Sequence, residues 1–206
     1  MTLRISSDGH ALHADVYGEL RGAERAAILV HGQNWDASGW RPYAPRFAER
    51  GVPAVALDLR GYGASEGVTE VEYVEGRPWT PAVDVRAAKQ ALRDLGVREI
   101  VLVGSSMGGH AVMASSFERD VESVISVSAP VLPVPDALAK RITGRKLFLC
   151  ASGDPCLQEV LRTFAVVERP KELRVFEGAE HSRGMFGSSY GPAVILAMVE
   201  FACRRG

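Results

Sequence analysis

Ile100-Val-Leu-Val-Gly-Ser-Ser-Met-Gly-Gly109 is the stretch whose reading decides the fold. Ile100 to Val103 are continuously apolar, as expected of a parallel strand buried on both faces. Gly104 and Gly108 then flank Ser106 in a Gly-x-Ser-x-Gly pattern. The pattern has a mechanical meaning: a strand turns sharply into a helix, the central Ser is forced into a strained, exposed pose, and small neighbours leave room for the turn. Met107 to Phe117 are helical in composition. A helix starting just after Ser106 aims its amide dipoles at developing negative charge.

The same pattern occurs twice more, at Gly63-Ala-Ser65-Glu-Gly67 and Gly187-Ser-Ser189-Tyr-Gly191. The first is separated from its strand by Asp58 to Tyr62 and runs into the polar stretch Val68 to Gly76. The second follows a loop, Ser182 to Phe186, with no strand before it. Only Ser106 has strand, turn and helix in register, so it is the expected nucleophile and Ser105 a structural neighbour.

Outward from this turn, apolar runs alternate with helix-like segments. Leu3–Ser6 and Leu12–Tyr17 read as two early strands joined by an Asp8-Gly9 hairpin turn. Ala26–His31, Val52–Leu57, Ile100–Gly104, Val124–Val127, Leu147–Ala151 and Leu173–Phe176 read as six more. Thr80-Pro81 marks a helix start, with Thr as cap. An apolar stripe follows at Val83, Ala87, Ala91 or Leu92, and Leu95, and Gly96 is the stop. Pro192–Arg204 reads as an apolar final helix. The alternation predicts an α/β fold: a right-handed, doubly wound, mostly parallel eight-stranded sheet with helices on both faces. No linker divides it, so residues 1–206 read as a single domain.

Composition excludes several function classes. The 206 residues are 47% hydrophobic and 24% charged, with 24 Lys plus Arg against 25 Asp plus Glu. A near-neutral balance without a basic block speaks against nucleic-acid binding and against an electrostatic membrane adhesin. The apolar run from Ala193 to Val199 is too short to span a bilayer. The first ten residues lack the apolar core of a secretory signal. Cys150, Cys156 and Cys203 are an odd number, and the first two are six apart, not at metal-binding spacing. They read as free thiols, and the expected location is cytoplasmic.

A serine hydroxyl needs a base, and the base an orienting acid. For a turn of this kind the chain order is nucleophile, acid, histidine. Of five histidines, only His181 lies beyond the last apolar strand, in a loop that can reach the same sheet edge as Ser106. His31 belongs to a strand end and His110 to the helix after the nucleophile. Asp154 follows Leu147–Ala151 in a strand-end loop and is the expected acid, with Glu177 as fallback. An oxyanion hole needs two donors. The Met107 amide is one; the second comes from the loop His31-Gly-Gln-Asn-Trp35, with Gln33 preferred and Asn34 as runner-up. Trp35 and Phe186 are expected to line the substrate pocket.

Taken together, these residues resemble the α/β-hydrolase superfamily over essentially the whole chain. The matching pieces are His31-Gly32, the Asp58-Leu-Arg60-Gly-Tyr-Gly63-Ala-Ser65 stretch, the turn at Gly104–Gly108, Asp154 and His181. The resemblance implies a structural turn at Asp58, Arg60 and Ser65. Many relatives insert a helical lid after strand six; here only Ser128 to Arg145 join strands six and seven, with a short helix around Asp136–Ile142. A compact, lidless member without a cap domain is expected. It is similar in size to dienelactone-hydrolase-like proteins, which use Cys where this chain has Ser106.

The expected function is serine hydrolysis of a small carboxylic ester or thioester through an acyl-enzyme. No metal or organic cofactor is implied, and the expected partner is a small-molecule substrate; the oligomeric state is not readable. The alternatives are a ligand-binding receptor or regulator on the same scaffold, and a lyase or perhydrolase using the same site.

Overall fold

The structure is a computed structural model and describes residues 1–72, 74, 77–129 and 136–205. Its described strands are β1 (Thr2–Ser7), β2 (His10–Tyr17), β3 (Arg25–Val30), β4 (Ala54–Leu57), β5 (Glu99–Ser105), β6 (Val121–Val127), β7 (Arg145–Ala151) and β8 (Lys171–Phe176). They form one sheet in the order β1-β2-β4-β3-β5-β6-β7-β8. β2 runs antiparallel to both β1 and β4, and every other pairing is parallel. The chain leaves β3 toward β4 on one side and then crosses to β5 on the other. The loops after β3 and β5 therefore diverge at a switch point, where open α/β sheets form their ligand crevice.

Side-chain alternation divides the interior into two cores. Ile28, Val30, Ile100 and Leu102 face one side, with α2 (Thr80–Asp94), α3 (Met107–Ala114) and α5 (Leu157–Val166) packed over it. Ala27, Leu29, Val101 and Val103 face the other, under α1 (Pro45–Ala48), α6 (Arg183–Gly187) and α7 (Gly191–Cys203). On that second face β3 and β4 present Ala27, Ala54 and Ala56. These small residues share their cluster with the fully buried rings of Trp40 and Phe47, which occupy the volume the alanines leave. α4 (Asp136–Ala139) follows β6.

Several boundaries differ from expectation, each for a local reason. β6 begins at Val121 rather than Val124, because Glu122 enters the strand with its charge met by Arg145 at 2.5 Å. β4 begins at Ala54, after Pro53, which has no N–H for the ladder. α3 ends at Ala114. Ser182 to Phe186, read as loop, largely forms α6. Thr80 is not a cap: α2 begins at it without a side-chain cap, and its hydroxyl accepts from the Glu70 amide at 2.9 Å. The buried face of α2 is Ala82, Asp84, Val85, Ala88, Lys89 and Leu92, turned from the expected stripe. Two charged residues sit on that face, Asp84 paired with Arg60 and Lys89 with Glu118, and they hide it from a hydrophobic pattern. Val131–Pro135 of the strand-six connection lie outside the described residues. No described helix is long and apolar enough to cross a membrane.

Candidate active site

Ser106 stands between β5 and α3 with φ 53° and ψ −121°, a conformation that side chains rarely adopt. What holds it there is crowding. A Cβ on Gly104 would enter the Gly108 carbonyl, and one on Gly108 would enter the carbonyls of Val30 and His31. Only glycines let α3 start this close to the sheet. The Ser106 amide donates to the Val127 carbonyl at 2.8 Å, anchoring the turn to β6.

The loops after β7 and β8 bring the other two groups. The Ser152 amide donates to the Phe176 carbonyl at 2.8 Å and the Gly153 amide to the Gly178 carbonyl at 2.7 Å, tying these loops together. His181 Nε2 then lies 3.0 Å from Ser106 Oγ, and its Nδ1 lies 3.1 and 3.2 Å from the two carboxylate oxygens of Asp154. Burial opposes the charge on Asp154, but hydrogen bonds from His181, Ser128 and the Cys156 amide outweigh it and hold the carboxyl below its usual range. An ionised carboxylate only accepts, so Nδ1 carries the proton and Nε2 is the ring's free lone pair, facing Ser106. The structure brings together the three residues expected from chain order. Glu180, the near neighbour of His181, is turned away to accept from the Tyr190 hydroxyl at 2.6 Å.

The loop after β3 is positioned by groups expected to be structural. His31 is fully buried, and burial pushes its pKa down. Its Nε2 accepts from the Leu59 amide at 3.1 Å, so its Nδ1 donates to the Gly32 carbonyl at 2.7 Å. Gly32 passes close enough to Ser106 that a Cβ there would lie 3.2 Å from the Ser106 Cβ. Asp58 receives the Ala37 amide at 2.7 Å and the Ala64 amide at 3.0 Å, joining the loops after β3 and β4. The amides of Gln33, Asn34 and Met107 meet no acceptor among the described residues.

A cavity of about 390 Å³ opens over Ser106 and His181, walled by Gln33, Asn34, Trp35 and Arg183. Phe186, expected in this wall, does not line it. It is 5% exposed and packs against Trp40 and Tyr43 in the second core, behind Trp35. Ser65 is likewise structural, donating to the Asp58 carbonyl at 2.6 Å and accepting the His13 amide at 2.8 Å. Ser189 is exposed on the loop before α7.

Two features escaped the sequence reading. Ser105 Oγ and Ser182 Oγ, adjacent in sequence to Ser106 and His181 respectively, form a buried hydrogen bond of 2.8 Å. Nothing in the spacing of two serines 77 residues apart signals that contact. Asp154, Cys156 and His181 also place ligand atoms within 4.8 Å of one another. A metal there would have to displace the Asp154–His181 bond. Burial, with Asp154 adding to it, pushes the Cys156 thiol up to about 11, so it is a neutral, weak ligand.

A family model described as the alpha/beta hydrolase family matches residues 27–143, more than half of the chain. The chain belongs to the α/β-hydrolase family. The match runs from β3 through the turn at Ser106 and stops before Asp154 and His181. Bifunctional epoxide hydrolase 2 of Sus scrofa is 30% identical over 114 residues, 54% of this chain and 20% of that protein. The chain spans between 20% and 56% of the length of curated relatives that it matches, less than two thirds of each. A CIB-like hydrolase of Thermoplasma acidophilum superposes with a TM-score of 0.81 at 19% identity, covering 98% of this chain and 97% of that one. The Pyrococcus furiosus esterase Pf2001 gives 0.79 at 18% identity, covering 100% and 92%. At such identities the structural likeness speaks to the fold.

Proposed function

We propose that this α/β-hydrolase cleaves a small carboxylic ester or thioester through an acyl-enzyme on Ser106. The observation that carries the reading is the relay Ser106 Oγ to His181 Nε2 at 3.0 Å, continued from Nδ1 to a buried, ionised Asp154. As Ser106 Oγ attacks the acyl carbon, its proton passes to His181 Nε2. Asp154 fixes the ring's tautomer and stabilises the imidazolium. The carbonyl oxygen becomes an oxyanion, received by the Met107 amide and by that of Gln33, the preferred second donor. Collapse of the tetrahedral species expels the alcohol or thiol, protonated from Nε2. Water, deprotonated by the same nitrogen, then attacks the acyl-enzyme and releases the acid with Ser106 restored. The esterase named among the fold neighbours agrees with this reading.

A fluorophosphonate probe tests it directly. It forms a stable phosphonyl adduct only with an activated serine, so mass spectrometry of the digested protein is expected to place the adduct on Ser106 alone. An unlabelled Ser106 in folded protein would overturn the proposal in favour of a binding scaffold.

A further inference from the structure

We infer that Arg183 makes this site select esters that carry a carboxylate; the inference rests on the hydrolase reading above and names the substrate class it leaves open. Arg183 opens α6, two residues beyond His181, and lines the cavity over Ser106. Its guanidinium carbon lies 5.8 Å from the centre of the Trp35 ring, against the opposite wall. A guanidinium over an indole face is attracted by the ring's quadrupole, which steadies a side chain that is otherwise exposed.

The charge around it is one-sided. Among the described residues no carboxylate lines the cavity, whose other polar walls are the neutral amides of Gln33 and Asn34, the hydroxyls of Ser106 and Ser182, and the His181 ring. Among the described residues no acidic group pairs with Arg183 within 4.0 Å. Asp36 is the acid it influences from a distance, and that carboxylate is already engaged by the Ser38 amide at 2.9 Å. A guanidinium with its donor fork unmatched and no acidic neighbour in the pocket suits a planar carboxylate, which it can bind through two parallel hydrogen bonds. The position next to the base places that carboxylate beside the reacting ester rather than on a remote surface. Solvent reaches the pair, so its contribution is moderate and falls with salt.

The test compares three aryl esters: neutral para-nitrophenyl acetate, para-nitrophenyl hydrogen glutarate with its carboxylate on the acyl side, and para-acetoxybenzoate with it on the leaving group. The expected result is that Arg183→Ala lowers the kcat/KM ratio of one anionic ester to acetate by about five- to tenfold, chiefly through KM. The ester that responds tells which side of the site Arg183 serves. Raising salt on the wild type should lower the same ratio, and Asp36→Asn, removing an opposing charge, should raise it. Turnover of acetate with ratios unmoved by Arg183→Ala for both anionic esters would overturn this inference alone. No turnover of any ester together with an unlabelled Ser106 would overturn the hydrolase reading and this inference with it.

Discussion

Ser106, Ser128 and Ser182 have φ of 53°, 47° and 56°, in the left-handed half of backbone space that non-glycine residues seldom enter. Each such residue costs about 1–3 kcal/mol and persists only where its surroundings over-determine it. All three lie at the carboxyl edge of the sheet, around the Ser106–His181–Asp154 relay. Ser106 is the expected nucleophile, and Ser106→Ala should lower kcat by roughly 10⁶, the scale on which such groups act as a unit. Ser65→Ala, at a matching motif whose hydroxyl only braces the Asp58 turn, should leave turnover within about twofold and lower the melting temperature instead. The same assay on both variants decides between the serines. Ser182 has a different part. Its hydroxyl meets Ser105 across a buried 2.8 Å bond, linking the residue after His181 to the residue before Ser106. Ser182→Ala leaves the Ser105 hydroxyl unpaired in the interior, at a cost of about 1–3 kcal/mol. It should also slow fluorophosphonate labelling of Ser106. A labelling rate equal to the wild type's would mean that the pair supports the fold without holding the relay in register.

Between elements, α2 is joined to the turn before β6 by Arg93 and Asp120. Arg93 Nε lies 2.5 Å from one carboxylate oxygen of Asp120 and Nη2 2.8 Å from the other. These bonds, against an opposing contribution from burial, hold the Asp120 carboxyl below its usual range. Because the folded value is depressed, the pair's stabilisation is present above the unfolded carboxyl value of about 3.9 and is lost as pH falls through the folded one. The side chains are 30% and 23% exposed, which limits the contribution to about 1 kcal/mol. Asp120→Asn should therefore lower the urea midpoint at pH 7 and lose that deficit as pH falls below about 4. An equal deficit at pH 7 and in acid would assign the loss to packing rather than charge. The same helix shows where a hydrophobic pattern misleads. Its buried face includes Asp84 and Lys89, legible as core only when Arg60 and Glu118 are seen beside them.

At the scale of the whole molecule, two cores clamp a sheet whose carboxyl edge carries a cavity of about 390 Å³. Binding energy from a long acyl chain comes from apolar area removed from water, at roughly 25 cal/mol per Å². A cavity of this size, walled by Gln33, Asn34 and Arg183 as well as Trp35, has little such area to offer. In a series of para-nitrophenyl esters from acetate to palmitate, kcat/KM should fall once the acyl group passes about six carbons. Nor should the rate jump where the ester forms micelles. A preference for palmitate would show a cover over the site that the described residues do not supply.

The sequence by itself determined the succession of the eight strands along the chain, the turn that strains Ser106 and the succession Ser106, Asp154, His181. Those features are local: continuous apolar runs specify strands buried on both faces, glycines at fixed offsets permit one turn, and chain order follows from the topology that the runs imply. Only the tertiary structure decided what depends on contacts between distant segments. Phe186 is a loop aromatic in sequence, and whether it faces the cavity or the core is fixed by Trp40 and Tyr43, which lie more than a hundred residues away. The bond between Ser105 and Ser182, the support of Gly32 by His31 and the placing of Arg183 over Trp35 have the same origin. A side chain's role there depends on what the folded chain brings opposite it, and the pattern of its own neighbours in sequence carries no record of that.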